Sequence, residues 1–182
     1  MNLPNALTVL RLLLIPIFVW LLTSGQYQWA FGTLLTAGVT DVLDGAVARM
    51  TNQRTQLGAY LDPLADKLLM IAAFVTLAML HLVPVWVAIV VVGRDLVIAS
   101  GTFTLHLLKT PIAVAPTILG KGTTLTQLVY LALALWLISL QEDVQALAPL
   151  LALMVALTVV SGLHYVAQGI RAYRSPASSH VR

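Results

Sequence analysis

The chain contains no cysteine, which excludes disulfides and thiolate metal sites. Charge is nearly as scarce. Asp, Glu, Lys and Arg make up 9% of the 182 residues, against about 25% in a soluble domain. That is too little to cover a water-facing surface, and a chain this apolar is not disordered. The net charge of +3 forms no basic stripe, so a nucleic-acid partner is not expected. Repeats, low-complexity tracts and a second-domain linker are absent. So are a serine-centred elbow, a His-Glu-x-x-His pair and a dinucleotide fingerprint. His81, His106, His164 and His180 show no ligand spacing. Gly120-Lys121 does not close a phosphate loop, because position 115 is Ala where such a loop needs its first glycine.

What is abundant is apolar sequence, 59% of the chain, in six segments of helical length. They run from about Ala6 to Thr23, Trp29 to Met50 (apolar to Thr40, then more polar), Gly58 to Leu82, Pro84 to Leu108, Gly120 to Leu140 and Val144 to Gly169. Continuous runs near 20 residues fit membrane-crossing helices rather than the alternating strands of a barrel. The expected fold is an all-α integral membrane bundle of six transmembrane helices. Residues 1–172 form its one membrane domain and 173–182 a short cytoplasmic tail. With six spans, Arg49, Arg54, Lys109, Lys121, Arg171, Arg174 and Arg182 share one side, and the connections on the other hold no Lys or Arg. Both termini are therefore expected on the cytoplasmic side. Trp20, Trp29, Trp86 and Trp136 lie toward span ends, as interfacial anchors do. Segments five and six read as almost wholly apolar over their central stretch.

Five of the seven acidic residues, Asp41, Asp44, Asp62, Asp66 and Asp95, lie within or at the ends of apolar helices. A charge at the bilayer centre costs about 2.5–3.5 kcal/mol or more, so such groups usually have a use. Asp41, Asp44, Gly45, Ala48 and Arg49 share one face of the second helix; Gly58, Asp62 and Asp66 share one face of the third. A short connection makes the two helices antiparallel neighbours, so the four carboxylates can face each other. They cannot all stay ionised without cations. Hard carboxylate oxygens suit Mg²⁺, Mn²⁺ or Ca²⁺, and two such ions near a membrane face are a device for phosphoryl chemistry. Buried ion pairs with Arg49, Lys67 and Arg94 are the bland alternative; for Gly45 and Gly58 it is tight helix packing. Lys67 either screens the carboxylates or snorkels to the interface.

Asp41-Val-Leu-Asp44-Gly45-Ala-Val-Ala48-Arg49, eight residues, Gly58, three residues, Asp62, three residues and Asp66 resembles the CDP-alcohol phosphatidyltransferase signature, D-x2-D-G-x2-A-R-x8-G-x3-D-x3-D, with every fixed position present. The opening Asn2-Leu-Pro4-Asn5-Ala-Leu-Thr8-Val-Leu-Arg11 and the stretch Gly120-Lys121-Gly-Thr-Thr124-Leu-Thr-Gln127 resemble the phosphatidylglycerophosphate synthase and cardiolipin synthase branches. The resemblance implies transfer of a phosphatidyl group from CDP-diacylglycerol to an alcohol, with release of CMP. It implies two Mg²⁺ or Mn²⁺ ions on Asp41, Asp44, Asp62 and Asp66, with Asp66 also the catalytic base. Asp41, Asp44, Gly45, Ala48, Arg49, Gly58 and Asp62 would bind the CDP-lipid. It further implies a homodimer in the lipid bilayer, with its site at the cytoplasmic face of a bacterial inner membrane.

A phosphate-bearing acceptor needs cations, and Arg11, Arg94 and Lys121 are the candidates, with Thr8 and Thr124 as further acceptor-binding residues. Asp95 follows Arg94, but neighbours at i, i+1 do not share a helix face, so Arg94 is expected to point to another group. Glycerol 3-phosphate is the preferred acceptor. Arg94-Asp95 and Pro116-Thr117 resemble instead the cardiolipin synthase branch, whose acceptor is phosphatidylglycerol. A rival of another class, a cation transporter, needs polar groups through the whole membrane depth, whereas these carboxylates occupy one half.

Overall fold

A computed structural model describes the backbone of residues 3–51, 56–107 and 117–174, and the side chains of residues 9–40, 64–104 and 117–171. Six α-helices follow in order: α1 Leu3–Thr23, α2 Tyr27–Thr51, α3 Gln56–Met79, α4 Val85–Leu107, α5 Ile118–Ser139 and α6 Ala148–Arg174. No strand occurs among the described residues. The expected segments are all present, with shifted ends. The third stops at Met79 rather than Leu82. The sixth opens with a 3₁₀ turn, Val144–Leu147, in which the Asp143 side chain accepts from the Gln145 N–H. α6 continues to Arg174, past the domain end expected at residue 172. Among the described residues, Val85–Thr104, Ile118–Ser139 and Val144–Arg171 are long and apolar enough to cross a membrane, and Val9–Thr23 is a shorter apolar helix.

Three connections close with one hydrogen-bond pattern. Gln26 N–H donates to the Leu21 carbonyl, Leu82 N–H to Leu77 and Glu142 N–H to Leu137, each six residues to one. The inner bonds run from Gly25 to Leu22, His81 to Ala78 and Gln141 to Ile138. This is the left-handed helix stop, with Gly25, His81 and Gln141 at φ of 71°, 57° and 60°. Only Gly25 is the residue type that signals such a stop, which is why the end of α3 was placed late.

One cavity of about 700 Å³ is bounded by Tyr27, His81 to Val85 and Gln141 to Gln145, so all three turns lie at the same end of the bundle. Trp20, Trp29, Trp86 and Trp136 are exposed within the first or last turn of helices meeting there, forming an aromatic belt. Below the turns sits the apolar core, in which Phe18, Leu22, Phe74, Leu77, Val87, Leu131, Leu135 and Met154 are fully buried. Phe74 and Tyr130 stack across it with centroids 6.4 Å apart. The outside is apolar as well: Leu13, Ile17, Ile89, Leu96, Phe103, Leu125 and Leu163 are exposed, as a lipid-facing surface requires.

The α5–α6 seam is not wholly apolar. Buried Gln127 donates to Thr158 Oγ1 at 3.1 Å, and buried Thr123 donates to the Leu157 carbonyl at 3.1 Å. These two contacts satisfy polar groups that lipid could not.

Candidate active site

Measured at 1.5 Å per helical residue, Arg11, Asp66, Arg94 and Ser161 lie roughly 14–20 Å from the turn end of their helices. They form a charged layer beneath the apolar core. Among the described residues it holds two ion-paired groups, and consecutive residues of α3 belong to different groups.

Asp66 is 47% exposed, and its Oδ1 accepts from Arg11 Nη1 at 2.6 Å; the Arg11 side chain is 1% exposed. α1 thus supplies a buried guanidinium to the carboxylate of α3. Such a charge-assisted bond is among the stronger ones, and it gives a buried cation the partner it needs.

Lys67 takes the other side. Its ammonium donates to both oxygens of Asp95 on α4, at 2.7 and 2.8 Å. Asp95 Oδ1 also accepts from Arg94 Nη1 at 2.8 Å. This corrects the expectation that neighbouring residues could not meet. Their backbones do point about 100° apart, but the long arginine stem folds back over its own helix. Arg94 also reaches another element as expected: Nη2 donates to Ser161 Oγ on α6 at 2.9 Å, and the guanidinium lies 5.8 Å from the Tyr165 ring centroid. Its buried Nε has no acceptor among the described residues. Lys67 is thus tied to Asp95 rather than left to snorkel.

The start of α5 packs against this group. Thr117 caps α5, its Oγ1 accepting from the Gly120 N–H at 3.1 Å, and its own N–H lies 3.5 Å from the Tyr165 hydroxyl. A Cβ on Gly120 would stand 3.2 Å from Thr117 Oγ1 and 3.4 Å from Arg94 Nη2. Glycine at that position lets α5 close on the arginine.

The remaining expected site residues fall as follows. Lys121 is exposed at the first turn of α5, and Thr124 Oγ1 donates to the Gly120 carbonyl within the helix. Asp41, Asp44, Gly45, Ala48 and Arg49 belong to the continuous α2, and Gly58 and Asp62 to α3. Their side chains, and that of Thr8, lie outside the described residues, as does the facing of the four carboxylates. The donor chemistry nonetheless suits divalent ions. Unbroken helices carry the carboxylates at one-turn spacings, the candidate donors are all hard oxygens, and Asp66 is half-exposed.

Sequence reasoning missed the Lys67–Asp95 pair and the contribution of Ser161 and Tyr165. No local pattern signals them, since the partners stand 28 and 67 or more residues apart.

An apolar helical bundle holding a layer of paired charges defines a membrane protein with a polar working site. Residues 1–162 match the CDP-alcohol phosphatidyltransferase family, and the chain belongs to it. A Mycobacterium tuberculosis protein provisionally named a phosphatidylglycerophosphate synthase is 35% identical over 178 residues, 93% of this chain and 82% of that protein. A Mycobacterium bovis protein carrying a provisional cardiolipin synthase name is 37% identical over 125 residues, 68% of this chain and 59% of its own length. The human cardiolipin synthase (CMP-forming) is 34% identical over 150 residues, 74% of this chain and 50% of that protein. The chain thus spans only half to three-fifths of the cardiolipin synthase relatives. The family is one of membrane-bound transferases of phospholipid synthesis.

Proposed function

We propose that this chain transfers a phosphatidyl group from CDP-diacylglycerol to a hydroxyl of glycerol 3-phosphate, giving phosphatidylglycerophosphate and CMP. The observation that carries the reading is the full Asp signature on two unbroken helices, ending at a half-exposed Asp66 held by Arg11. The relative aligned over 93% of this chain bears a phosphatidylglycerophosphate synthase name, which favours glycerol 3-phosphate. The second reading, phosphatidylglycerol as acceptor with cardiolipin as product, is favoured by the cardiolipin synthase names of other relatives.

In this reading all six helices span a bacterial inner membrane as a homodimer, both termini are cytoplasmic, and the Asp cluster opens to the cytoplasm. Asp41, Asp44, Asp62 and Asp66 would hold two Mg²⁺ or Mn²⁺ ions, which when bound neutralise charge on the diphosphate and on the departing CMP. Asp66 accepts the proton of the acceptor hydroxyl as oxygen attacks phosphorus. Arg11 fixes the direction of that carboxylate. With Arg11 turned to Asp66, acceptor recognition in this reading falls chiefly to the cations of the second group and to Lys121.

The deciding assay supplies purified protein with Mg²⁺, CDP-diacylglycerol and either glycerol 3-phosphate or phosphatidylglycerol, and identifies the lipid formed. Phosphatidylglycerophosphate is expected. Cardiolipin from the second acceptor alone replaces the first reading with the second, and no CMP with either acceptor rejects both.

A further inference from the structure

Among the described residues the charged layer holds three cations, and one of them is accessible. The side chains of Arg11 and Arg94 are 1% and 8% exposed, whereas that of Lys67 is 37% exposed. The two ion-paired groups also differ in balance. Arg11 pairs with Asp66. Lys67 and Arg94 share the carboxylate Asp95, itself 7% exposed, so among the described residues this group holds two cations for one carboxylate. A cation-rich group within an apolar bundle favours an anion beside it. That anion can reach the group only where it is open, at Lys67. An ammonium has three N–H donors. Two of Lys67's are held by Asp95, and no other partner is present among the described residues. The ammonium is thus fixed in position with one donor left to give.

We propose that Lys67, held in place by Asp95, binds the phosphate of the acceptor alcohol. This rests on the phosphatidyltransferase reading and deepens it. Lys67 follows Asp66 on α3, so a phosphate bound there keeps a short acceptor beside the carboxylate that takes its proton. Asp95 is a positioning residue, because it sets where the ammonium stands without itself meeting the substrate. The shared chemistry is an acceptor phosphate, whether the monoester of glycerol 3-phosphate or the diester of phosphatidylglycerol, and both are assayed.

Full-length wild type, Lys67→Met, Lys67→Arg and Asp95→Asn are compared for kcat and for the KM of each substrate, with Mg²⁺ present. Lys67→Met is expected to raise the acceptor KM roughly tenfold or more, the loss of one charged hydrogen bond, while the CDP-diacylglycerol KM moves less than about twofold. Lys67→Arg restores most of the acceptor KM, and Asp95→Asn raises it without matching loss of CDP-diacylglycerol binding. An unchanged acceptor KM in Lys67→Met, or equal rises in both KM values, overturns the proposal. So does a fall in kcat alone.

The absence of cysteine permits a second measurement. Lys67→Cys places one thiol in the chain, and aminoethyl methanethiosulfonate rebuilds a lysine-like ammonium on it. Acceptor KM should recover with that reagent and not with the neutral methyl methanethiosulfonate. Recovery with both, or with neither at full modification by mass, overturns the assignment. If wild type itself releases no CMP, the enzyme reading falls instead, and the two failures are distinct.

Discussion

Arg11 and Asp66 stand 55 residues apart in the chain and 2.6 Å apart in space, the guanidinium sealed inside the bundle and the carboxylate half open. Arg11 thus orients a carboxylate that stands half open. Arg11→Met should lower kcat at least tenfold while leaving the acceptor KM within about twofold, because one charge-assisted bond of about 1.5–3 kcal/mol is lost where the base is aimed. Arg11→Lys keeps the charge but not the fork and should recover part of the rate. Steady-state kinetics in both substrates checks this; a rise confined to acceptor KM would instead make Arg11 a direct acceptor ligand.

Asp66→Asn removes the proposed proton acceptor while keeping the shape. CMP release should fall by at least about 10²-fold, the scale of general-base catalysis. The variant should still elute as a folded protein in detergent. Full activity in this variant removes the assigned base.

Gly120 and Gly122 lie two residues apart on α5 and should respond oppositely to alanine. At Gly122 a Cβ meets nothing within 4 Å, so Gly122→Ala should be neutral or stabilising by up to about 1 kcal/mol. At Gly120 the new atom presses on Thr117 Oγ1 and Arg94 Nη2, both engaged in hydrogen bonds. Gly120→Ala should lower the melting temperature relative to Gly122→Ala and raise acceptor KM. Thermal unfolding in detergent ranks the pair.

Thr158→Val leaves the amide of buried Gln127 without its partner on α6. That orphaned donor should cost about 1–3 kcal/mol. The double variant Gln127→Leu with Thr158→Val removes both polar groups and should recover much of the loss. A double-mutant cycle on thermal stability measures the coupling.

Composition alone decided that this chain is a helical membrane protein: apolar runs near 20 residues cannot satisfy their backbone in lipid except as helices. Spacing decided which Asp residues share a face, because 3.6 residues per turn brings positions three and four apart together. Those signals are local, and the six segments and the 41–66 signature were legible for that reason. The stops at His81 and Gln141 were not, since left-handed backbone there comes without the usual glycine. Nor was the partition of charge. Nothing in the order Asp66-Lys67 says that one turns to α1 and the next to α4. Arg94-Asp95 likewise suggested separation, whereas the arginine stem is long enough to fold back. Which cation is sealed and which is open depends on how α1, α3, α4 and α6 pack, and only the tertiary structure decides that, because burial is a property of neighbours brought from distant parts of the chain.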